Sequence, residues 1–117
     1  MAYNEKLAER VREILAADPA LSERKMFGGL AFMLDGNMCC GIVANRLMLR
    51  LGAGLAESAL ERPHVQPMDF TGRPMTGMVY VAAEGLRGKA LRPWVEDAAG
   101  FVRTLPPKRP KSRRATG

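Results

Sequence analysis

Residues 26–51 alternate between two sets of side chains with a period of two residues, which is typical of β-strands. The bulkier members of this alternation share one face: Leu30, Phe32 and Leu34 in a first strand, and Leu47, Leu49 and Leu51 in a third. Asp-Gly-Asn at residues 35–37 favours a hairpin turn, because aspartate and glycine tolerate positive φ angles, and Asn-Arg at 45–46 predicts a second turn. The segment therefore predicts an antiparallel meander of three strands.

Helices are predicted on both sides of this meander. Apolar residues at helical spacing predict a helix over residues 4–17, a short one over "LAESALERP" and a final one from about Lys89 to Leu105. "MVYVAA" at 78–83 predicts a further strand, whereas residues 64–77 are expected to be irregular or edge-like, because Pro67 and Pro74 cannot donate to a central ladder. We expect an α+β fold, a two-layer sandwich whose mostly antiparallel sheet of four to five strands carries the N- and C-terminal helices on one face.

Charge divides the chain into two parts. Residues 106–117 contain five basic residues and no acidic one: Lys108, Arg109, Lys111, Arg113 and Arg114. The remaining 13 basic residues of residues 1–105 nearly balance 12 acidic ones, although the whole chain carries +6. We expect one domain over 1–105 and a disordered basic tail over 106–117, which contacts nucleic acid at most non-specifically and in a salt-sensitive way.

The cellular location is predicted from the apolar segments. The chain has no apolar run near the roughly 20 residues that span a bilayer. Its first 19 residues are charged and amphipathic, unlike a secretory signal. We therefore expect a cytoplasmic protein with no membrane partner.

Two adjacent cysteines, Cys39 and Cys40, occur in the second strand of the meander. Neighbours on a strand point to opposite faces, which suits neither a shared metal ion nor a disulfide. We expect both to be reduced and metal-free, with at least one buried. The alternative is a soft copper(I) site that joins one cysteine to methionine sulfurs, those of Met33, Met38 or Met48.

Four polar residues are candidates for ligand binding: Arg50, His64, Asp69 and Arg73. An arginine in an otherwise apolar strand must reach solvent, a carboxylate or a ligand, and pairing of Arg50 with Asp69 is the structural alternative. His64 and Asp69 suggest a general base, but no nucleophile accompanies them, and turn-rich segments also use such residues for local hydrogen bonds. We expect no enzymatic activity, cofactor or metal.

The face of the sheet that the terminal helices leave uncovered predicts self-association. It would carry Ala31, Met33 and Met48, one of the two cysteines, and Arg50. Such a surface is too apolar to face water comfortably, and methionine-rich surfaces adapt to partners. We expect a homodimer with interaction residues Met33 and Met48. The alternative is a monomer in which residues 62–76 cross this face.

Three stretches of the chain carry a family resemblance. "RKMFGGLAFMLDGNMCCGIVANRLMLRLG", then "PHVQPMDFTGRPMTGMVYV" and a Trp-Val helix that ends in "LPPK" resemble the TfoX (Sxy) N-terminal domain family over about residues 3–108. The most specific parts are Met-Phe-Gly-Gly at 26–29, Arg50-Leu51-Gly52, Met68-Asp69-Phe70 and Gly72-Arg73-Pro74.

The resemblance implies a two-layer sandwich of helices and a mostly antiparallel sheet. The members that give the family its name are bacterial regulators of natural competence that act on transcription, and the resemblance implies a short, stand-alone member without their C-terminal helical domain. It implies no catalytic residues. We therefore expect an interaction or regulatory module linked to transcriptional regulation, with an unknown protein partner. The alternative is a small-molecule or nucleotide-binding protein that uses Arg50 and residues 64–73.

Overall fold

The computed structural model describes residues 3–26, 28–70 and 73–107. For residues 26, 68–70 and 73–76 it describes the backbone alone. The elements in chain order are α1 (Glu5–Leu15), β1 (Leu21–Met26), β2 (Gly29–Leu34), β3 (Asn37–Val43), β4 (Arg46–Arg50), α2 (Ala53–Ala59), β5 (Val65–Phe70), β6 (Arg73–Val81) and α3 (Leu91–Val102). Two short 3₁₀ turns, Ala83–Leu86 and Gly88–Ala90, connect β6 to α3. None of the described helices is long and apolar enough to cross a bilayer.

The predicted meander is the centre of the sheet. Strands β2, β3 and β4 pair in antiparallel register, and Asp35 and Gly36 take positive φ angles of 52° and 82° in the hairpin turn. The sheet has six strands in the order β1-β2-β3-β4-β6-β5, and every neighbouring pair is antiparallel. The α+β class is confirmed, although the sheet exceeds the four to five strands that the sequence predicts.

The additional strands are those whose sequences least resemble strands. β1 carries Ser22, Glu23, Arg24 and Lys25, which are exposed at the sheet edge. β5 forms the opposite edge and contains Pro67, whose missing N–H is tolerated there. Charged residues and proline on edge strands discourage pairing with other chains, which explains why the edges look like loops in the sequence.

The hydrophobic core lies between one face of the sheet and the helices. The apolar sides of α1 and α3 pack there, together with Ala56 and Ala59 of α2, so the predicted placement of the terminal helices on one face is confirmed. Helix α1 begins after Asn4, whose side chain accepts a hydrogen bond from the N–H of Leu7 at 3.0 Å. Pro93 lies in the first turn of α3, where its missing N–H costs no helical hydrogen bond.

The two cysteines do not point to opposite faces, so that prediction is wrong. Phe32 pairs with Cys40 but Met33 pairs with Met38, which makes Cys39 the extra residue of a β-bulge. In a bulge two consecutive residues oppose one on the partner strand, which breaks the strict alternation of side chains. Both thiols are therefore fully buried in the core on the helical side.

The end of β4 is fixed to β6 and α3 by Gly52. The carbonyl of Gly77 accepts hydrogen bonds from the N–H groups of Leu51 and Gly52, at 2.8 and 3.1 Å. Gly52 has a φ of 83°, and a Cβ built on it would lie 2.6 Å from a ring carbon of Phe101. Both the backbone conformation and the close approach of the ring require glycine at this position.

Replacing Gly52 with alanine should therefore destabilise the fold, with a loss of about 2 kcal/mol in the free energy of unfolding from the strained φ and the clash. Gly54→Ala is the matched control, because Gly54 lies in α2 and a Cβ there meets nothing within 4 Å. The control should leave stability unchanged or raise it by up to about 1 kcal/mol. Urea unfolding of both variants measures the difference; equal effects would contradict this account of Gly52.

Candidate functional site

The candidate site is the face of the sheet opposite the helices. The described side chains that the register places there are Ser22, Arg24, Ala31, Met33, Met38, Val43, Arg46, Met48, Arg50, Gln66, Met78 and Tyr80, with Gly41 among them. We call this surface the open face, because the helices α1, α2 and α3 all pack on the other side.

The centre of the open face is closed by its own side chains. Met48, Tyr80 and Met78 form an apolar cluster and are 1%, 7% and 8% exposed in the single chain. Met48 lies across Gly41 on the neighbouring strand: a Cβ on Gly41 would be only 2.6 Å from the Met48 methyl carbon. Met48 is therefore already buried within the single chain, because the missing side chain of Gly41 makes room for it.

Three arginines surround this closed centre. Arg46 and Arg50 stand on either side of Met48 in β4, about 13 Å apart at the rise of an extended strand. A row of paired residues crosses the sheet from Met48 through Gly41 and Ala31 to Arg24. Arg24 therefore lies three strands from Met48, or about 14 Å. Among the described side chains of the open face, none is acidic.

The guanidinium groups differ in their surroundings. The Cζ of Arg46 lies 4.0 Å from the centre of the Tyr80 ring, a cation–π contact that holds the group over the cluster. Arg50 is half-buried opposite Met78, as its alternation with Leu49 and Leu51 predicts. Within the described part of the chain Arg50 makes no salt bridge. The side chain of Asp69, the partner of the structural alternative, is not among the described ones.

Acidic partners belong to the helical side of the molecule. Of the described residues, Arg12 pairs with Glu23, Arg92 with Glu96 at 3.2 Å, and Arg103 with Asp18 at 3.0 Å. The N–H of Ala20 and then Arg103 lower the pKa of Asp18, and Arg12 lowers the pKa of Glu23. These carboxylates are thus ionised and paired at neutral pH, which leaves the positive charge of the open face uncompensated by them.

The other predicted ligand residues are spread along the β5–β6 hairpin. His64 precedes β5, takes a φ of 69°, and its carbonyl accepts a hydrogen bond from the N–H of Ala82 at 2.8 Å. Asp69 pairs with Pro74 at the far end of β5, about 16 Å from His64 along an extended strand. The two are too far apart to act as a proton-transfer pair. The side chains of Asp69 and Arg73 lie outside the described residues.

A groove that the sequence does not predict lies between α1 and α3. It is an open groove of about 530 Å³ with Ile14 and Leu91 among its lining residues and the charged groups of Glu13, Lys89 and Glu96 around them. Arg10 also lines it, and donates to the carbonyls of Leu86 and Gly88 at 2.9 and 3.1 Å. Its guanidinium therefore braces the connection before α3. Only the packing of two distant helices creates this groove.

The cysteines lack the environment of a reactive thiol. Hydrogen bonding with Cys39 and burial raise the pKa of Cys40 well above its usual range, which keeps the thiol protonated at neutral pH. The methionines of the copper(I) alternative lie on the open face or beside its cluster, across the sheet from both sulfurs. In the described residues no group of three or more histidine, cysteine or acidic side chains could hold a metal ion.

The basic tail leaves the fold on the helical side of the sheet, because Asn37 pairs with Leu34 of the core. The side chain of Asn37, at the start of β3, donates to the carbonyl of Pro106 at 2.9 Å. Because β3 and β4 are antiparallel, the start of β3 lies at the same end of the sheet as Arg50. The basic residues of the tail lie outside the described part of the chain: Lys108, Arg109, Lys111, Arg113 and Arg114.

Comparison with known families gives one match. The family model of the TfoX N-terminal domain matches residues 13–102. The chain belongs to the TfoX N-terminal domain family. The match begins inside α1 and ends at the last residue of α3, so the TfoX N-terminal domain includes all six strands and the open face. No curated protein matches the chain.

Burial of the two thiols predicts how they react. In the folded protein, dithionitrobenzoate at mildly alkaline pH should modify Cys39 and Cys40 only slowly, because both are fully buried and the pKa of Cys40 is raised. In denaturant both should react at once. The absorbance of the released thionitrobenzoate measures the rate. Rapid stoichiometric labelling of the native protein would contradict the burial of the pair.

Proposed function

We propose that the chain is a cytoplasmic, non-enzymatic interaction module that serves regulation and binds an anionic partner on the open face. One observation carries the proposal: three arginines surround a closed apolar centre, and no acidic side chain is described on the same face. Reduced, buried cysteines are typical of proteins from a reducing compartment, which favours the cytoplasm.

The electrostatic argument rests on partial burial. Arg46 and Arg50 are half-buried, so each has lost part of its hydration without gaining a described carboxylate. A partly desolvated cation interacts more strongly with an opposite charge than a fully hydrated one does. The electrostatic attraction between these arginines and a bound anion would therefore be stronger than it would be for fully hydrated arginines.

The shape of the face favours an extended partner over a small molecule. Met48 and Tyr80 fill the centre, and the groove between α1 and α3 lies across the sheet from Arg50. A nucleotide that used both Arg50 and His64 would have to span separated positions. Arg50 pairs with Met78, whereas His64 is hydrogen-bonded to Ala82, four residues further along the chain. A partner that crosses several strands can reach the arginines together.

A homodimer, the partner expected from the sequence, is disfavoured on this face by its charge. A two-fold axis through the open face would place six arginines in one interface, two copies each of Arg24, Arg46 and Arg50. Like charges that meet at an interface cost free energy. We therefore propose that the open face serves a different, anionic molecule.

Heparin chromatography of the full chain tests the proposal. The double variant Arg46→Gln, Arg50→Gln should elute at a clearly lower salt concentration than the unmodified chain, because two of the three open-face cations are lost. The matched control Arg87→Gln, Lys89→Gln removes the same charge from exposed residues that precede α3, outside the open face. Equal shifts of the two variants would show that only net charge matters and would overturn the proposal.

A further inference from the structure

We infer that the anionic partner of the open face is a single-stranded nucleic acid, and that the basic tail binds the same strand. The inference rests on the proposed function and names the class of its partner. It follows from the pattern of charged and apolar groups on the face, from the contact between Arg46 and Tyr80, and from the place where the tail leaves the fold.

Cationic and apolar groups alternate across the open face. Met33, Met38 and Val43 are half-buried and lie on the two strands between Arg24 and the arginines of β4. A partner that offers only carboxylates would use the arginines and leave these apolar groups without a contact. A polynucleotide strand offers phosphates to arginine and flat base surfaces to apolar side chains at the same time.

Arg46 provides a surface on which a base can stack. Its guanidinium is held over Tyr80 at 4.0 Å, so one side of the group faces the ring. Tyr80 as a whole residue is only 7% exposed, and the guanidinium therefore replaces its ring as the planar group at the surface. Arginine planes stack on unpaired bases, and a guanidinium that is already oriented loses less conformational entropy when a base arrives.

The open face suits a single strand better than a duplex. In a double helix the flat surfaces of the bases are stacked inside, so a sheet surface meets phosphates and the narrow edges of the bases. In a single strand the bases can turn towards the protein and use the apolar groups between the arginines. The half-buried methionines can adjust to bases of different shape, which predicts little sequence preference.

The position of the tail adds a second set of cations. Pro106 is fixed to Asn37 at the end of the sheet where Arg50 lies. The eleven residues that follow can span at most about 40 Å, enough to pass from the helical side round this end of the sheet to the open face. They contain five basic residues and no acidic one, so the tail is repelled by the arginines of the face and complements a phosphate backbone bound there.

Fluorescence anisotropy with labelled oligo(dT) tests the inference on the full chain at low salt. The variant Arg46→Gln, Arg50→Gln should weaken binding about tenfold or more, because two charge-assisted contacts are lost. Replacing the five basic residues of the tail with serine should flatten the dependence of affinity on salt. The control Arg87→Gln, Lys89→Gln should bind within about twofold of the unmodified chain, since exposed charges far from the strand act weakly.

A conservative variant and competitors separate the alternatives. Arg46→Lys keeps the charge but loses the planar group, and should bind more weakly than the unmodified chain at the same melting temperature. A duplex of equal length and a polyglutamate peptide should both compete less well than unlabelled oligo(dT).

Three results would overturn the inference. The first is polyglutamate competing as well as oligo(dT), which would indicate an acidic protein partner. The second is oligo(dT) binding that depends on the tail alone. The third is light scattering that shows a dimer lost in the Arg46→Gln, Arg50→Gln variant, since a second copy would then occupy the face. If heparin retention depends on the face but oligo(dT) does not bind, the proposed function stands and only this inference fails.

Discussion

The strict alternation of side chains along β4 is the constraint on which the rest of the structure depends. This strand lies in the interior of the sheet, and Leu47 and Leu49 must point into the helical core to bury their side chains. Because the period of a strand is two, the same backbone forces Arg46, Met48 and Arg50 onto the opposite face. A one-residue slip in register would put both arginines into the core, so the core also fixes the chemistry of the open face.

Small residues on the neighbouring strands make room for this arrangement within one chain. Met48 fills the space left by the missing side chain of Gly41. Ala31, which is also small, is the next residue of the same row, between Gly41 and Arg24. The methionine thereby closes the apolar centre, and Arg46 covers the adjacent Tyr80 ring through a cation–π contact. The result is a surface whose apolar part is largely satisfied within one chain and whose positive charges are directed outwards. Burial of the apolar cluster and presentation of the arginines are two consequences of one packing arrangement.

The sequence predicts those features that depend on local periodicity. The meander, the three helices and the side of β4 that carries Arg50 follow from spacing alone. β1 was missed because an edge strand with exposed charges has no apolar alternation, and the length of β6 was missed because Pro74 lies in its part that pairs only with the edge strand β5. The bulge at Cys39 depends on how β3 pairs with β2, which no single-strand pattern records. Of the site, Arg50 and Met48 could be named, whereas the roles of Arg24, Arg46 and Tyr80 depend on the register across four strand pairs.

We propose that the open face contacts the partner together with the basic tail, and that the helical side does not. Methionine methyl groups report on this face directly, because Met33 and Met38 are half-buried there between the arginines. The most direct measurement is a titration of the full chain, labelled with ¹³C at its methionine methyl groups and with ¹⁵N, with oligo(dT) by NMR. We expect the methyl signals of Met33 and Met38 to shift with the same affinity as the amide signals of the basic tail, while the amides of α1 stay in place. Shifts confined to the tail or to the groove between α1 and α3, with both methyl signals unchanged, would contradict it.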